Sequence, residues 1–466
     1  MSKIDLGKDK ISKLFLNYAI PGAIGMIVMS IYMIIDGIFV GNFVGPEALA
    51  AINLAFPIFM IFIGVLDMIG IGGSIFTSIK LGEGNLKKAK ETFSFTLFIN
   101  LAIGCIIFFL IFILAEPMLN LVGAKGDLLT LAVQYIRVFC LFGPLMMLFY
   151  MLDSFVRIDG SPRLSMILGI ISSILNIILD YIFIVVLGYG LIGAAVATGI
   201  SASLAGILAL GYFFTKKSKL KVVKPVGDFK LFKEMAYNGS SEFLGQISNS
   251  IANIAINFVI LRQLGTLGIT AISIIMYINS IVTGLTFGLA DSISGIVSFN
   301  LGARQIKRVK EVLKFAYITA FVLGVSAYIL VVLNQDFLIS IFIDNASIEL
   351  YNLTASASKI MFISYFFLWF NMVSTSYFTA IKNAKVSIII AVSRSLIFIL
   401  IGLIVFPYIM PNRGIWLVIP FAEFCTLFVS LYHLKKSDLE KISERLDKEN
   451  ELEHKCKQDI IDEGII

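Results

Sequence analysis

Twelve runs of apolar residues, each long enough to cross a lipid bilayer, constrain this chain more than any other feature. A spanning helix needs about 20 apolar residues at a rise of 1.5 Å each. The runs fall at 14–40, 49–78, 92–115, 129–153, 164–187, 190–214, 235–262, 269–297, 312–335, 356–380, 386–408 and 414–434. Hydrocarbon offers no hydrogen bonds to an open backbone, so runs of this length predict helices. Pro21 lacks an N–H and crowds the preceding turn, which predicts a bend in the first helix. Only 15% of the residues are charged and 58% are hydrophobic. Soluble domains carry roughly 25% charged residues, so lipid is the solvent this surface suits. The N-terminus carries Lys3, Lys8, Lys10 and Lys13 ahead of a run too long for a signal-peptide core. The first helix is therefore expected to stay in the mature protein.

Loop charge sets an orientation. Basic residues gather at the N-terminus, at Lys80, Lys87, Lys88 and Lys90, at Arg157 and Arg163, along Lys216–Lys233, at Arg304, Lys307, Arg308 and Lys310, at Lys382 and Lys385, and from Lys435 onward. The intervening loops at Gly41–Ala48, Glu116–Leu128, Leu187–Gly190, Gln263–Gly268, Asn334–Ala355 and Pro411–Arg413 are sparse in them. The positive-inside rule then places both termini and the long middle linker in the cytoplasm. The net charge of +6 belongs to these short loops and not to one face, so nucleic acid is not an expected partner.

The chain also repeats itself. LGEGNLKKAKE from Leu81 returns as LGARQIKRVKE from Leu301, and Gly45 and Gly265 match at the same offset. GLIGAAVAT from Gly190 faces GIWLVIPFAE from Gly414. The expected fold is an all-α membrane protein of twelve transmembrane helices in two parallel six-helix repeats around a central cleft. The N-terminal lobe takes 1–214, a basic linker 215–234, the C-terminal lobe 235–434 and a charged tail 435–466. Both halves start on the same side, so the repeat axis lies along the membrane normal. Such repeats bind substrate between the lobes and work by rocking them.

Charge inside a membrane is costly and marks candidate functional residues. These are Asp36, Asp67, Asp180, Glu242, Asp291, Arg394 and Glu423. Asp36 falls in the outer part of the first helix. Asp180 lies roughly 10 Å from the outer end of the fifth. Asn176 is one turn deeper on the same face, and Thr198 in the sixth helix reaches a similar depth. Tyr135 in the fourth can join them. Two carboxylates, an amide and a hydroxyl suit a hard cation such as Na⁺. Like charges held close equally suit proton exchange, and the residues leave both open. A capping role for Asp36, with Asp180 paired elsewhere, is the bland alternative. Arg394 and Glu423, on adjacent antiparallel helices at similar depth, read as a structural ion pair. Glu242 and Asp291 fall towards the cytoplasmic side and Asp67 in the inner half of its helix, without an assigned role.

Forty phenylalanines and 16 methionines suit promiscuous contact with apolar cations. Met276, Tyr277 and Phe287 are the lining candidates. Cys105, Cys140, Cys425 and Cys456 show no metal or disulfide spacing. His433 and His454 lie at the C-terminal end, which excludes histidine catalysis within the membrane. No phosphate loop, HExxH or GxSxG occurs, so neither ATP hydrolysis nor those hydrolytic chemistries are expected of this chain. Asp36 and Asp180 lack the GxGD-like context of intramembrane aspartyl proteases.

Four segments carry a resemblance: IIDGIFVGNFVGPEALAAINLAFPI from Ile34, LGEGNLKKAK from Leu81, RIDGSPRLSMILGIISSILNIILDYIFI from Arg157 and GIVSFNLGARQIKRVKE from Gly295. With these, the sequence resembles the multidrug and toxic compound extrusion family, in particular its MepA-type bacterial members. The resemblance implies a plasma-membrane antiporter that expels cationic drugs and dyes, driven by H⁺ or Na⁺ and without another cofactor. Carried over by residue, it implies a cation-responsive site at Asp36, Asn176, Asp180 and Thr198, with Tyr135, and matches Pro21 to the proline at which members bend the first helix. One branch of the family uses acids in the seventh and tenth helices; here the seventh has only Glu242 and the tenth has none. Two other functions stand beside drug–cation antiport. A flippase for lipid-linked precursors favours a more cationic cavity, and only Arg394 is clearly basic within a run. A membrane enzyme needs a reactive constellation, which the sequence lacks. A monomer is expected.

Overall fold

The structure is a computed structural model that describes residues 4–121, 123–341, 348–411 and 413–448. Every regular element among them is helical, as a chain dissolved in hydrocarbon requires. The first half comprises α1 (Ile11–Phe39), α2 (Pro46–Gly82), α3 (Leu86–Leu121), α4 (Gly126–Ile158), α5 (Pro162–Asp180) and α6 (Gly190–Tyr212). The second comprises α7 (Phe229–Gly302), α8 (Ile306–Leu333), the short α9 (Gln335–Ser340), α10 (Ile348–Met361), α11 (Tyr365–Ala380), α12 (Ala384–Val392), α13 (Phe398–Ile409) and α14 (Val418–Lys436). Helix α7 makes two crossings. Its 74 residues are broken at Gly265, whose φ of 62° and ψ of −155° lie outside helical space. Pairs α10–α11 and α12–α13 each make one crossing, joined by a 3₁₀ turn (Phe362–Ser364) and a π-turn (Ser393–Ile397). Twelve crossings result among the described residues.

Two expected loops are shorter than the sequence suggests. Between 263 and 268 the chain turns at Gly265 alone. Between 41 and 48 the helix runs on as a π-turn (Val40–Val44) and reverses at Gly45, φ 118°. The same backbone device thus stands at matching points of the two halves. The repeat extends further. Positive φ occurs at Gly84 and again at its repeat mate Arg304; it occurs at Gly160 and again at Lys382. Those two non-glycine residues accept a conformation that costs side-chain-bearing residues energy. The turn geometry therefore belongs to the fold and not to the local sequence.

The linker after α6 is fastened to the first lobe. The carboxylate of Asp159 accepts hydrogen bonds from the backbone N–H of Lys219 (3.0 Å) and Leu220 (3.1 Å) and from the Tyr212 hydroxyl (2.5 Å). Ser94 Oγ accepts from the N–H of Val223 at 2.9 Å. Residues 439–448 form a further helix whose Leu439 and Leu446 are buried against the second lobe. The expected tail beyond 448, with His454 and Cys456, lies outside the described residues.

The lobes touch closely at the end that carries the basic loops. A Cβ on Gly82 would lie 2.0 Å from the carbonyl oxygen of Phe299, and a Cβ on Gly302 would lie 2.2 Å from that of Ile79. Gly82 and Gly302 are repeat mates, as are Ile79 and Phe299, so the contact is reciprocal about the pseudo-two-fold axis. Gly22 and Gly288 meet in the same way, with a Cβ on either 2.6–2.7 Å from the other's carbonyl oxygen. The first turns of α1 share this junction, since Leu14, Phe15, Tyr18 and Ala19 pack in the core of the second lobe. Small residues at such crossings let backbones approach where lipid gives no hydrophobic drive. Gly82→Val is therefore expected to part the lobes at the basic end. The check is maleimide labelling of Ser78→Cys in an otherwise cysteine-free chain, because buried Ser78 Oγ donates to the Gly295 carbonyl across this junction (3.1 Å). Faster labelling in the valine variant is expected; an unchanged rate counts against the contact as a lobe clamp.

Candidate functional site

Two polar groups stand out, one inside the first lobe and one between the lobes. The first lies far from the basic end. Asp36 sits on the last full turn of α1, just before the π-turn Val40–Val44. Asp180 is the last residue of α5, where the helix passes into a second π-turn, Tyr181–Val186. Widened turns of this type occur frequently at functional sites, and nothing in the residue pattern announces them. The two carboxyl groups are electrostatic neighbours, and the Tyr135 hydroxyl lies within range of both. Tyr135 is held by ring contacts to Phe59 and Phe139. Asn176 Nδ2 donates to Thr198 Oγ1 at 3.2 Å. Asp36, Asp180 and Tyr135 thus lie together, and Asn176, one turn before Asp180 on α5, is joined to Thr198.

The hydrogen bonding of this group is incomplete. Asp36 Oδ1, both carboxylate oxygens of Asp180 and Asn176 Oδ1 are buried with no donor in hydrogen-bonding geometry among the described residues. Buried acceptors are ordinarily satisfied, because an unmade bond costs about 1–3 kcal/mol and more for a charged group. Buried carboxylate oxygens left without donors need a cation or protons. The donor set of two carboxylates, an amide and a hydroxyl fits a hard cation such as Na⁺, and equally fits protons. A small cavity beside Thr198, lined also by Tyr32 and Tyr150, adjoins the central cleft, with which it shares Met29, Phe149, Tyr150 and Gly169. Neither tyrosine stands out in the sequence, since aromatic residues are too common in this chain to signal.

The cleft between the lobes has a volume of about 330 Å³. The first lobe contributes Pro21, Met26, Met29, Asp67, Tyr150, Asp153 and Arg157; the second contributes Glu242, Gln246, Asn249, Phe287, Asp291, Met372 and Arg394. Pro21 stands within α1, whose helix continues through it, and faces the cleft. Of the three lining candidates only Phe287 reaches this cavity. Met276 packs on the core of the second lobe and Tyr277 is half-exposed. Both lie between the Gly265 turn and Phe287, roughly three helical turns before the latter, and so are too far from the basic end.

Arg157 corrects a further expectation. It reads as a loop residue in the sequence, yet it is the penultimate residue of α4 and lines the cleft. The helix carries it there because its charge is answered. Nη2 donates to Asp153 on the same helix, Nη1 to Asp291 of the second lobe, and Nε to Ser165 Oγ at 3.1 Å. The cleft thus holds two arginines and not one. Arg394, in the π-turn Ser393–Ile397, has Nη1 3.8 Å from Glu423 Oε1. Asn371 Nδ2 donates to Glu423 Oε2 and to its carbonyl, both at 2.8 Å, and Ser430 Oγ donates to Asn371 Oδ1 at 3.0 Å. This second-lobe cluster has its acceptors largely answered, unlike the first-lobe group.

The family model MatE matches the chain twice, over residues 21–182 and 243–404. The chain belongs to the MatE family. The two matched stretches are the two halves of the repeat. Among relatives, the multidrug export protein MepA of Staphylococcus saprophyticus is 28% identical over 345 residues, covering 73% of this chain and 76% of its own. MepA of Staphylococcus aureus strain N315 is 28% identical over 349 residues, covering 74% and 76%. The MatE fold is shared with solved structures. A multidrug resistance MATE family transporter of the MOP superfamily, in an outward-facing conformation, superposes with a TM-score of 0.89 at 24% identity over 95% of this chain and 99% of its own. A MOP superfamily transporter from Pyrococcus furiosus, described by a binding pocket of reversed polarity, gives the same score, identity and coverage. The family assignment and the twelve-helix, two-repeat fold read from the sequence are borne out.

The Arg394–Glu423 cluster yields a stability prediction. Removing one member of a buried pair leaves the other uncompensated, at a cost of about 3–5 kcal/mol. Glu423→Gln is expected to lower the thermal midpoint by several degrees while the folded fraction keeps its activity. A variant with wild-type stability and no activity would move this cluster from scaffold to mechanism.

Proposed function

We propose that this protein is a secondary active multidrug efflux transporter that exports organic cations by ion-coupled antiport, with H⁺ or Na⁺ as the driving ion. The observation that carries the coupling is the donor-free group at Asp36, Asn176 and Asp180, with Thr198 and Tyr135 beside it. An ion shifts a conformational equilibrium only by its differential affinity for the two states. Filling these oxygens changes the first lobe's internal balance, and none of these five residues lines the cleft itself, so ion and drug take different residues. The cleft supports the cargo: its four acids outnumber its two arginines, and Met26, Met29, Met372 and Phe287 give adaptable apolar walls. The MepA relatives are multidrug export proteins, which agrees with this reading.

The protein acts in the plasma membrane as a monomer with both termini cytoplasmic, 1–214 and 235–434 being the moving lobes. The basic end then faces the cytoplasm, and the close junction at Gly82 and Gly302 is on that side. A lipid-precursor flippase is the second reading, favoured by the unexpected Arg157. Both arginines are paired with acids, however, and leave the cleft net negative.

The test is ethidium efflux from loaded vesicles, with a Na⁺ gradient and a pH gradient imposed separately. Efflux under one gradient, abolished in Asp36→Asn at unchanged protein level, is expected and names the coupling ion. Full export by Asp36→Asn removes that residue from the mechanism. No dye movement under either gradient, with folded protein confirmed, favours the flippase.

A further inference from the structure

Arg157 is held in an unequal way. Asp153 and Ser165, both of the first lobe, grip its guanidinium by Nη2 and Nε, and Ser165 Oγ donates in turn to Asp153. Only Nη1 reaches the second lobe, at Asp291. The same junction is tied through Tyr18, whose hydroxyl donates to the Arg157 carbonyl at 2.8 Å and whose own carbonyl accepts from Ser292 Oγ at 3.0 Å. Parting the lobes at the basic end therefore leaves Arg157 on Asp153 and strips Asp291 of its ion pair. The Asp291 side chain is one-third exposed already. Asp67 and Glu242 line the same cleft, are its electrostatic neighbours, and have no ion pair among the described residues. Arg394 does not compensate them in full, because it is turned to Glu423.

We propose that Arg157 sets the affinity of the cleft for organic cations: it occupies Asp291 as an internal competing cation when the basic ends are together, and surrenders that carboxylate to cargo when they part. The inference rests on the cation-export reading. It gives the cycle a direction. With the basic end open, Asp291 joins Asp67 and Glu242 in facing the cleft without Arg157, Arg394 remains turned to Glu423, and a lipophilic cation binds. Closure returns the guanidinium to Asp291, puts like charge beside the cargo, and lowers its affinity as the opposite side opens. The cargo is expelled by charge already built into α4, and no proton need be spent in the cleft itself.

The experiment is equilibrium binding of tetraphenylphosphonium to the purified full chain in detergent, beside vesicle export of the same ion. Arg157→Gln is expected to tighten binding roughly tenfold, as loss of one positive charge near the cargo at moderate dielectric requires, while export slows because release fails. Arg157→Lys keeps the charge and is expected to bind like wild type. Asp291→Asn carries the opposite sign, since it leaves the guanidinium in place and removes an acid; binding is expected to weaken by a similar factor. Folded Arg157→Gln with wild-type affinity, beside a wild type that exports the ion, overturns the inference alone. Should Arg157→Gln not fold, unchanged affinity in Asp291→Asn overturns it equally. Absence of tetraphenylphosphonium binding and export in the wild type overturns the inference together with the cation reading.

Discussion

A carboxylate placed in hydrocarbon must be answered by a proton, a cation or a hydrogen-bond donor, and the source of that answer divides the molecule by task. Glu423 is answered by Arg394 and Asn371 within one lobe, so it can be sealed away permanently. Asp291 is answered by Arg157 across the lobe boundary, so its answer depends on conformation. Asp36 and Asp180 find no donor for their buried oxygens among the described residues, so theirs must come from solution. The same electrostatic cost thus yields a scaffold, a conformational contact and a candidate ion site, according only to where the counter-charge resides.

Much of this is legible in the sequence because the membrane removes choices. Apolar runs of bilayer length have one backbone solution, so their number and order follow directly. The first-lobe group is reachable because depth in a straight helix is a matter of counting residues, which places Asp36, Asn176, Asp180 and Thr198 at similar levels. What counting misses depends on a second helix. Arg157 looks like a loop residue because its charge ends an apolar run, and only Asp153 and Asp291 explain why α4 carries it into the cleft. Met276 and Tyr277 are misplaced for a related reason. Composition says that a cleft will hold methionine and aromatic residues, but not which turn of a 74-residue helix faces it. The π-turns beside Asp36 and Asp180 leave no residue signature at all.

The two halves share a backbone but not a chemistry. Turns with positive φ recur at matching points even where the second copy has Arg304 or Lys382 in place of glycine, and Gly82 and Gly302 approach each other's lobes reciprocally. The polar residues of these two intramembrane groups do not recur. The stretch of the second half around 256–258 that answers to Asp36 carries no acid. At the offset between the two family matches, Asn176 and Asp180 answer to Phe398 and Gly402. Conversely, the partners of Glu423 in the second lobe, Arg394 and Asn371, answer to Ser172 and Phe149 in the first half. An exchanger built on two equal lobes would respond to its ion on both sides of the cleft. Under the proposed function, keeping the donor-free oxygens in one lobe and the ion pair in the other lets one lobe change with ion occupancy while the other stays a fixed wall. The Arg157–Asp291 contact joins these two unlike bodies at the basic end, with the lobe that holds the donor-free oxygens supplying the arginine. In the proposed cycle, ion occupancy at Asp36 and Asp180 then reaches the cargo through the position of the first lobe, whose Tyr150 lines both the cleft and the small cavity beside Thr198.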